Sequence, residues 1–189
     1  DEMQNDLLQF YPSLKENTNV INNPISEHII DYINLHDLNK INKKDYLLCV
    51  GSLKQANSFN YAIQGFSRIA NIFPYLRLKI VGSGSLDYEL RKIAKFYGVY
   101  DRVDFEGFHQ NIIPFYLNAK ATVLTSLYEG FPNVLIESIA LGTPVVSFNC
   151  PSGPKEIIED GKNGYLVKYK DIEDLKRKLL AVLSNKFNV

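Results

Sequence analysis

Ser126-Leu127-Tyr128-Glu129-Gly130-Phe131-Pro132-Asn133-Val134-Leu135-Ile136-Glu137-Ser138-Ile139-Ala140-Leu141-Gly142-Thr143-Pro144-Val145-Val146 reads as strand end, loop, short helix and strand. The β-branched run Ala121-Thr122-Val123-Leu124-Thr125 places a strand end near Thr125. Gly130 and Pro132 interrupt regular structure after it. Asn133 is expected to cap a helix that runs to Gly142, with Pro144 behind. Val134, Leu135, Ile136, Ile139, Ala140 and Leu141 leave that helix little polar surface, so it is expected to be buried. Glu137 nevertheless stands in its middle, and a carboxylate there is costly unless something binds it.

One reading of Glu137 is a structural salt bridge or a partly exposed edge. A second carboxylate, Glu129, lies eight positions earlier in the loop before the helix. Between the two, a helix start offers unpaired backbone N–H groups and a dipole that attract phosphate. Two carboxylates flanking a phosphate-receptive turn suit a ligand with hydroxyls on both sides of a phosphate, as in a nucleotide sugar.

Moving outward, strand and helix signals alternate from Asp45 onward. Tyr46-Leu47-Leu48-Cys49-Val50 is a continuous apolar strand ending at Gly51. Phe59, Ala62, Ile63, Phe66, Ile69 and Ala70 keep helical spacing after Ser58. Further strands are expected at 76–81, 103–105, 145–148 and 164–167, and helices at 86–97, 112–117, 154–159 and 172–183. Pro114 falls early enough in its helix to be tolerated. Repeated βα units with apolar strands predict a parallel sheet covered on both faces. Ligands of such sheets bind at the carboxyl ends of the strands, where Gly51, Gly82, Gly107, Ser126 and Phe148 head the loops.

Residues 1–42 are rich in Asn and charge. Leu7 to Tyr11 could close a short helix, 18–25 reads as a short strand and turn, and Ser26 is placed to cap a helix to Ile33. The segment reads as a connector between domains, and 43–189 as a nucleotide-sugar-binding Rossmann-like domain.

The 189 residues suffice for one domain and a short extra element, and 46% are hydrophobic. Lysine plus arginine and aspartate plus glutamate both number 21. That balance gives no support to a nucleic-acid partner. It leaves room for a local basic patch against a membrane. The two cysteines, Cys49 and Cys150, are expected to be reduced and buried or to line the site. With no signal peptide and no span-length apolar run, the expected location is cytoplasmic, with the inner membrane face open. No His/Cys/Asp/Glu set has metal-ligand spacing, so neither a metal site nor a cofactor is expected.

The double-Glu stretch, continued by Ala140-Leu141-Gly142-Thr143-Pro144-Val145-Val146 and by residues 150–164, resembles the E-x₇-E signature of the retaining family 4 glycosyltransferases, the glycosyl transferases group 1. The resemblance spans about residues 45–185. It implies one half of a GT-B fold, the donor-binding half of a hexosyltransferase. For this chain the resemblance implies a UDP-sugar donor and a role in cell-surface polysaccharide, lipopolysaccharide or glycolipid synthesis. The acceptor, a sugar or lipid-linked sugar, would bind an N-terminal domain outside these residues, and this chain alone would be inactive. Text similar to Val20-Ile21-Asn22-Asn23-Pro24-Ile25 marks the junction between the two domains in that family.

By resemblance Glu137 would hold the ribose hydroxyls and Glu129 would position the donor sugar. Gly130 and the N–H groups around Phe131, Asn133 and Val134 would face the phosphates. Gly51 heads the first βα loop, after which the family carries an Arg and a Lys; Ser52 and Asn57 stand there instead. Lys54 is the remaining cation of that loop, either a displaced phosphate clamp or a solvated lysine. Gly82 belongs to a Gly-Ser-Gly turn that reads either as donor-cleft backbone or only as a tight turn. Phe108 and His109 occupy the family's base-binding position, with core and solvated loop as the alternatives. Two further functions stay open: a degenerate, non-catalytic interaction domain of the same fold, and a sugar-nucleotide epimerase or phosphorylase.

Overall fold

The six strands stand in the order β3-β2-β1-β4-β5-β6, all parallel: β1 Tyr46–Val50, β2 Arg77–Val81, β3 Val103–Gly107, β4 Ala121–Leu124, β5 Val145–Phe148 and β6 Gly164–Val167. This is the arrangement of a computed structural model that describes residues 2–38 and 41–184. Positions 1, 39–40 and 185–189, which the connector and domain boundaries above include, lie outside the described residues.

The strand order reverses between β1 and β4. Loops leaving those two strands diverge to opposite faces and open a crevice at the carboxyl edge. β1, β4 and β5 are buried almost throughout, as apolar strands covered on both sides must be. On one face α3 (Phe59–Ile69), α4 (Asp87–Phe96) and α8 (Ile172–Ser184) cover Leu47, Cys49, Leu78, Ile80 and Val146. On the other, α2 (Glu27–Leu35), α5 (Ile113–Asn118) and α6 (Asn133–Ala140) cover Tyr46, Leu48 and Val81. The α3–α8 contact is tight: a Cβ on Gly65 would lie 2.5 Å from a Leu175 methyl carbon.

The expected α/β fold with helices on both faces is therefore present. α1 (Glu2–Phe10) covers the helix expected near Leu7, and α7 (Pro154–Ile157) ends two residues earlier than expected because Ile158 is extended. The connector departs from expectation. Residues 18–25 form no strand, and a 3-10 turn occupies Pro12–Asn17. The β-prone Val20-Ile21 pair has no neighbouring strand to bond, and the edges of the sheet lie elsewhere. Ser26 does sit at the cap position of α2, but its carbonyl, not its hydroxyl, takes the N–H groups of Ile29 and Ile30.

Neither cysteine is in a disulfide, both are buried, and burial pushes the Cys49 thiol far up. Among the described residues no helix is long and apolar enough to cross a membrane.

Candidate functional site

The loops after β1, β2 and β3 are laced together by backbone. Gly51 N–H donates to Val81 O (3.0 Å), Leu53 N–H to Ser83 O (2.9 Å) and Gly82 N–H to Gly107 O (2.7 Å). Gly82 has φ +145°, and a Cβ there would stand 1.9 Å from Gly51 O. Only a glycine lets the two loops approach so closely. The small side chains that result leave a cavity of about 250 Å³ whose lining includes Gly51, Ser52, Gly82, Phe108, His109 and Ile112. Four expected site residues, Gly51, Gly82, Phe108 and His109, thus come together. Phe108 is largely exposed and is not core, whereas His109 meets Glu106 O (3.2 Å) and the edge of the Phe115 ring.

Lys54 is exposed and lies outside the lining of that cavity, on the approach to a 3-10 turn at Gln55–Asn57. Asn57 turns inward instead, its amide donating to Ser52 O at 2.7 Å.

On the far side of the reversal point, α6 begins one residue earlier than the capping pattern implies. Pro132, buried and extended, takes the cap position, and its carbonyl accepts the Leu135 N–H at 3.0 Å. Asn133 is therefore the first helical residue and caps nothing; its Oδ1 accepts a bond of 2.9 Å from Asn23 of the connector, which also reaches Phe131 O at 3.3 Å. The N–H groups of Gly130, Phe131, Asn133 and Val134 have no hydrogen-bond partner among the described residues. The turn is held from below by the β5–α7 loop: Glu129 N–H donates to Pro151 O, and Gly153, at φ +88°, sits where a Cβ would be 2.5 Å from Pro132.

Glu129 precedes this turn, half-buried rather than fully exposed in its loop. Burial raises its carboxyl above the usual range, and the Ser126 hydroxyl opposes that shift. Ser126 Oγ is itself buried and lacks hydrogen-bond geometry with any described group. Glu137 lies one turn into α6. Its Oε2 accepts the Tyr116 hydroxyl at 3.0 Å, its Oε1 has no partner among the described residues, and burial raises its carboxyl while Tyr116 opposes the rise. Among the described residues no cation pairs with it. The salt-bridge reading of Glu137 thus fails among the described residues, whereas the partly exposed one holds: Glu137 is half-buried, and α6, expected to be buried, buries only Leu135 and Ser138. Glu137 lines a second cavity, about 520 Å³, with Ser26, His28, Gln110, Asn111 and Ile112; Ile112 also borders the first. Gly130 and Phe131 border a third, about 600 Å³, whose other wall is the connector from Asn17 to Asn23.

Three contributors had escaped the sequence reading. Tyr116 comes from α5, twenty-one positions before Glu137, and no spacing rule pairs them. Asn23 and the α2 cap region enter the crevice only because the connector folds back on it. Ser126 was legible as the head of a loop on the carboxyl edge, but nothing in the sequence placed it beside Glu129. The chemistry of the whole is recognition: acceptor carboxylates for hydroxyls, unpaired N–H donors for an anion, and an aromatic rim.

The model of the family described as glycosyl transferases group 1 matches residues 33–188. An uncharacterised glycosyltransferase of Haemophilus influenzae is 34% identical over 139 residues, which are 74% of this chain and 39% of that protein. Among solved structures, the lipopolysaccharide outer core galactosyltransferase WaaB in apo form superposes with TM-score 0.67 at 30% identity, covering 75% of this chain and 41% of that one. The pneumococcal O-GlcNAc transferase GtfA in complex with UDP and GlcNAc superposes with TM-score 0.68 at 27% identity, covering 79% and 30%. The chain spans well under half the length of these relatives.

Proposed function

This chain belongs to the glycosyl transferases group 1 family, and we propose that it is the nucleotide-sugar-binding half of a retaining hexosyltransferase. The observation that carries the reading is the α6 turn: unpaired N–H groups of Gly130, Phe131, Asn133 and Val134, bordered by Glu129 on one side and Glu137 on the other. In this reading the turn receives the diphosphate through those donors and the helix dipole. Glu137 accepts the ribose hydroxyls, with the base in the adjoining cavity beside Phe108 and His109. Glu129 takes hydroxyls of the donor sugar. These groups orient the donor and stabilise the departing diphosphate; they break no bond themselves.

The base is proposed as uracil, on the strength of the UDP held by the pneumococcal relative. The product is proposed as a cell-surface polysaccharide, lipopolysaccharide or glycolipid, on the strength of the galactosyltransferase relative. The acceptor would be presented by a partner domain across the crevice, at or near a membrane face.

The test is a titration of the chain with UDP, GDP and ADP at low salt, followed by amide NMR. Saturable shifts centred on Glu129 to Val134 are expected, strongest with UDP. Absence of such shifts with all three nucleotides ends the donor-domain reading.

A second reading, a non-catalytic interaction domain, is favoured by one observation. Ser52 and Asn57 stand where the family has cations, and the Asn57 amide is taken up by the Ser52 backbone carbonyl.

A further inference from the structure

Tyr116 is fully buried, yet it is not a passive core residue, because both of its polar ends are engaged. Its hydroxyl donates to Glu137 Oε2 at 3.0 Å. Its carbonyl accepts the Thr143 hydroxyl at 2.6 Å, and Thr143 Oγ1 in turn accepts from Lys43 Nζ. The residue before it is pinned too: the Tyr46 hydroxyl donates to Phe115 O at 2.7 Å. α5 is only six residues long, so these bonds to β1 and to the α6–β5 turn fix where the ring stands. A buried phenol without a partner would be costly, and so would a half-buried carboxylate without a donor; each removes the other's penalty.

We propose that Tyr116 is a positioning residue for the site: its hydroxyl clamps one oxygen of Glu137 and leaves the other, Oε1, as the oxygen presented to a ligand diol. The clamp restricts the rotation of a flexible side chain before the ligand arrives, which is the advantage of preorganisation. It also favours the ionised carboxylate, the form that can only accept, so that a hydroxyl rather than an anion is selected. The clamp deepens the function proposed above and rests on it for the identity of the ligand, though not for the pairing itself.

The ionisable groups around Glu137 have to be separated in a test. They are Tyr116 on α5, His28 on α2 across the cavity, and Lys43 behind Thr143. Glu27 and Asp31 of α2 are exposed. The measurement is the pH titration of the Glu137 carboxyl carbon in protein with ¹³C-labelled glutamate, assigned through E137Q. In Tyr116→Phe the midpoint is expected to rise by about one pH unit, the scale of losing one hydrogen bond to a charged group. The same rise is expected in an H28Q background. An unmoved midpoint overturns the proposal, whatever happens to thermal stability, because it leaves Tyr116 as filler only.

If Tyr116→Phe alone fails to fold, the double variant Y116F/E137Q decides. Its recovery supports the clamp, since the stranded carboxylate is gone; continued failure to fold overturns it. UDP titrations of the same proteins add a second readout: the affinity ratio of wild type to Y116F should grow as pH falls through the shifted midpoint, and a ratio constant with pH counts against the clamp. Should wild type bind no nucleotide, the donor reading fails, and the carbon titration still decides whether Tyr116 clamps Glu137.

Discussion

A Cβ placed on Gly82 would meet the carbonyl oxygen of Gly51 at 1.9 Å, so the loops after β2 and β1 touch through bare backbone. The contact shapes the first cavity of the crevice, and it makes a prediction independent of any ligand. Gly82→Ala should destabilise the fold by about 3 kcal/mol, combining a strained φ with forced displacement of backbone. Gly98→Ala also carries a positive φ but meets nothing within 4 Å, and should lose only about 1 kcal/mol. Urea unfolding of the two variants side by side checks this; equal losses would refute the contact.

Glu137→Gln should weaken UDP binding by about 1–3 kcal/mol, the range for hydrogen bonds to a charged group. Apo stability should hold, because the amide oxygen of Gln can still accept the Tyr116 hydroxyl and no counter-ion is stranded. Melting curves with and without nucleotide separate the two effects. A lower apo melting temperature with unchanged ligand-induced stabilisation would remove Glu137 from the site.

The pH dependences of stability and of binding should run in opposite directions. Burial raises the Glu129 and Glu137 carboxyls above the ordinary glutamate value. The protonated forms are thus favoured in the fold, and their contribution to stability is lost as pH rises through the raised values. Nucleotide affinity needs the ionised forms, and falls as pH drops through the same window, starting above the ordinary glutamate value. E129Q/E137Q should flatten the stability slope there, as read by melts across the window. An acid limb of UDP binding confined to the range of an ordinary glutamate, about 4.3 or below, would contradict the assignment.

Restoring cations at the first loop should strengthen diphosphate binding. Ser52→Arg with Asn57→Lys is expected to raise UDP affinity by an order of magnitude or more, each charge-assisted bond being worth about 1.5–3 kcal/mol. The exchange also removes the Asn57 bond to Ser52 O, so the loop must be checked by NMR for retained structure. Calorimetry on both proteins reads the result; a measurable wild-type affinity that the swap leaves alone would point to Lys54 as the clamp.

Arg102 closes the end of α3. Its guanidinium donates to Ala70 O (2.7 Å), Phe73 O (2.6 Å) and Leu76 O (2.6 Å) and lies over the Phe66 ring. Arg102→Ala should cost about 2–3 kcal/mol by thermal denaturation, and Arg102→Lys should rescue little, since a point charge cannot reach three carbonyls in one plane. Rescue by Lys to near wild-type stability would show that charge alone matters.

The βα repeat was legible because continuous apolar strands and helical spacing are local patterns, and the α6 loop because Glu-Gly-Phe-Pro-Asn stands between two unmistakable strands. Local pattern also put the functional edge in the right place: a parallel sheet leaves its carboxyl-edge loops together. Reading failed where neighbours in space decide. Asn133 has a good capping side chain, but Pro132 already held the cap backbone and Asn23, more than a hundred positions away, took the side chain. Val20-Ile21 has strand propensity, but the strand order left no edge beside it.

By itself the sequence determined the fold class, the order of elements and two carboxylates eight residues apart, because each follows from periodicity or from residues on one short segment. The tertiary structure alone decided what those carboxylates face. Tyr116 reaches Glu137 because β1 and β4 lie side by side and bring α5 against α6, and Gly82 must be glycine because the β1 loop passes over it. Both are contacts between segments distant in sequence, set by strand pairing and packing, and no local pattern encodes them.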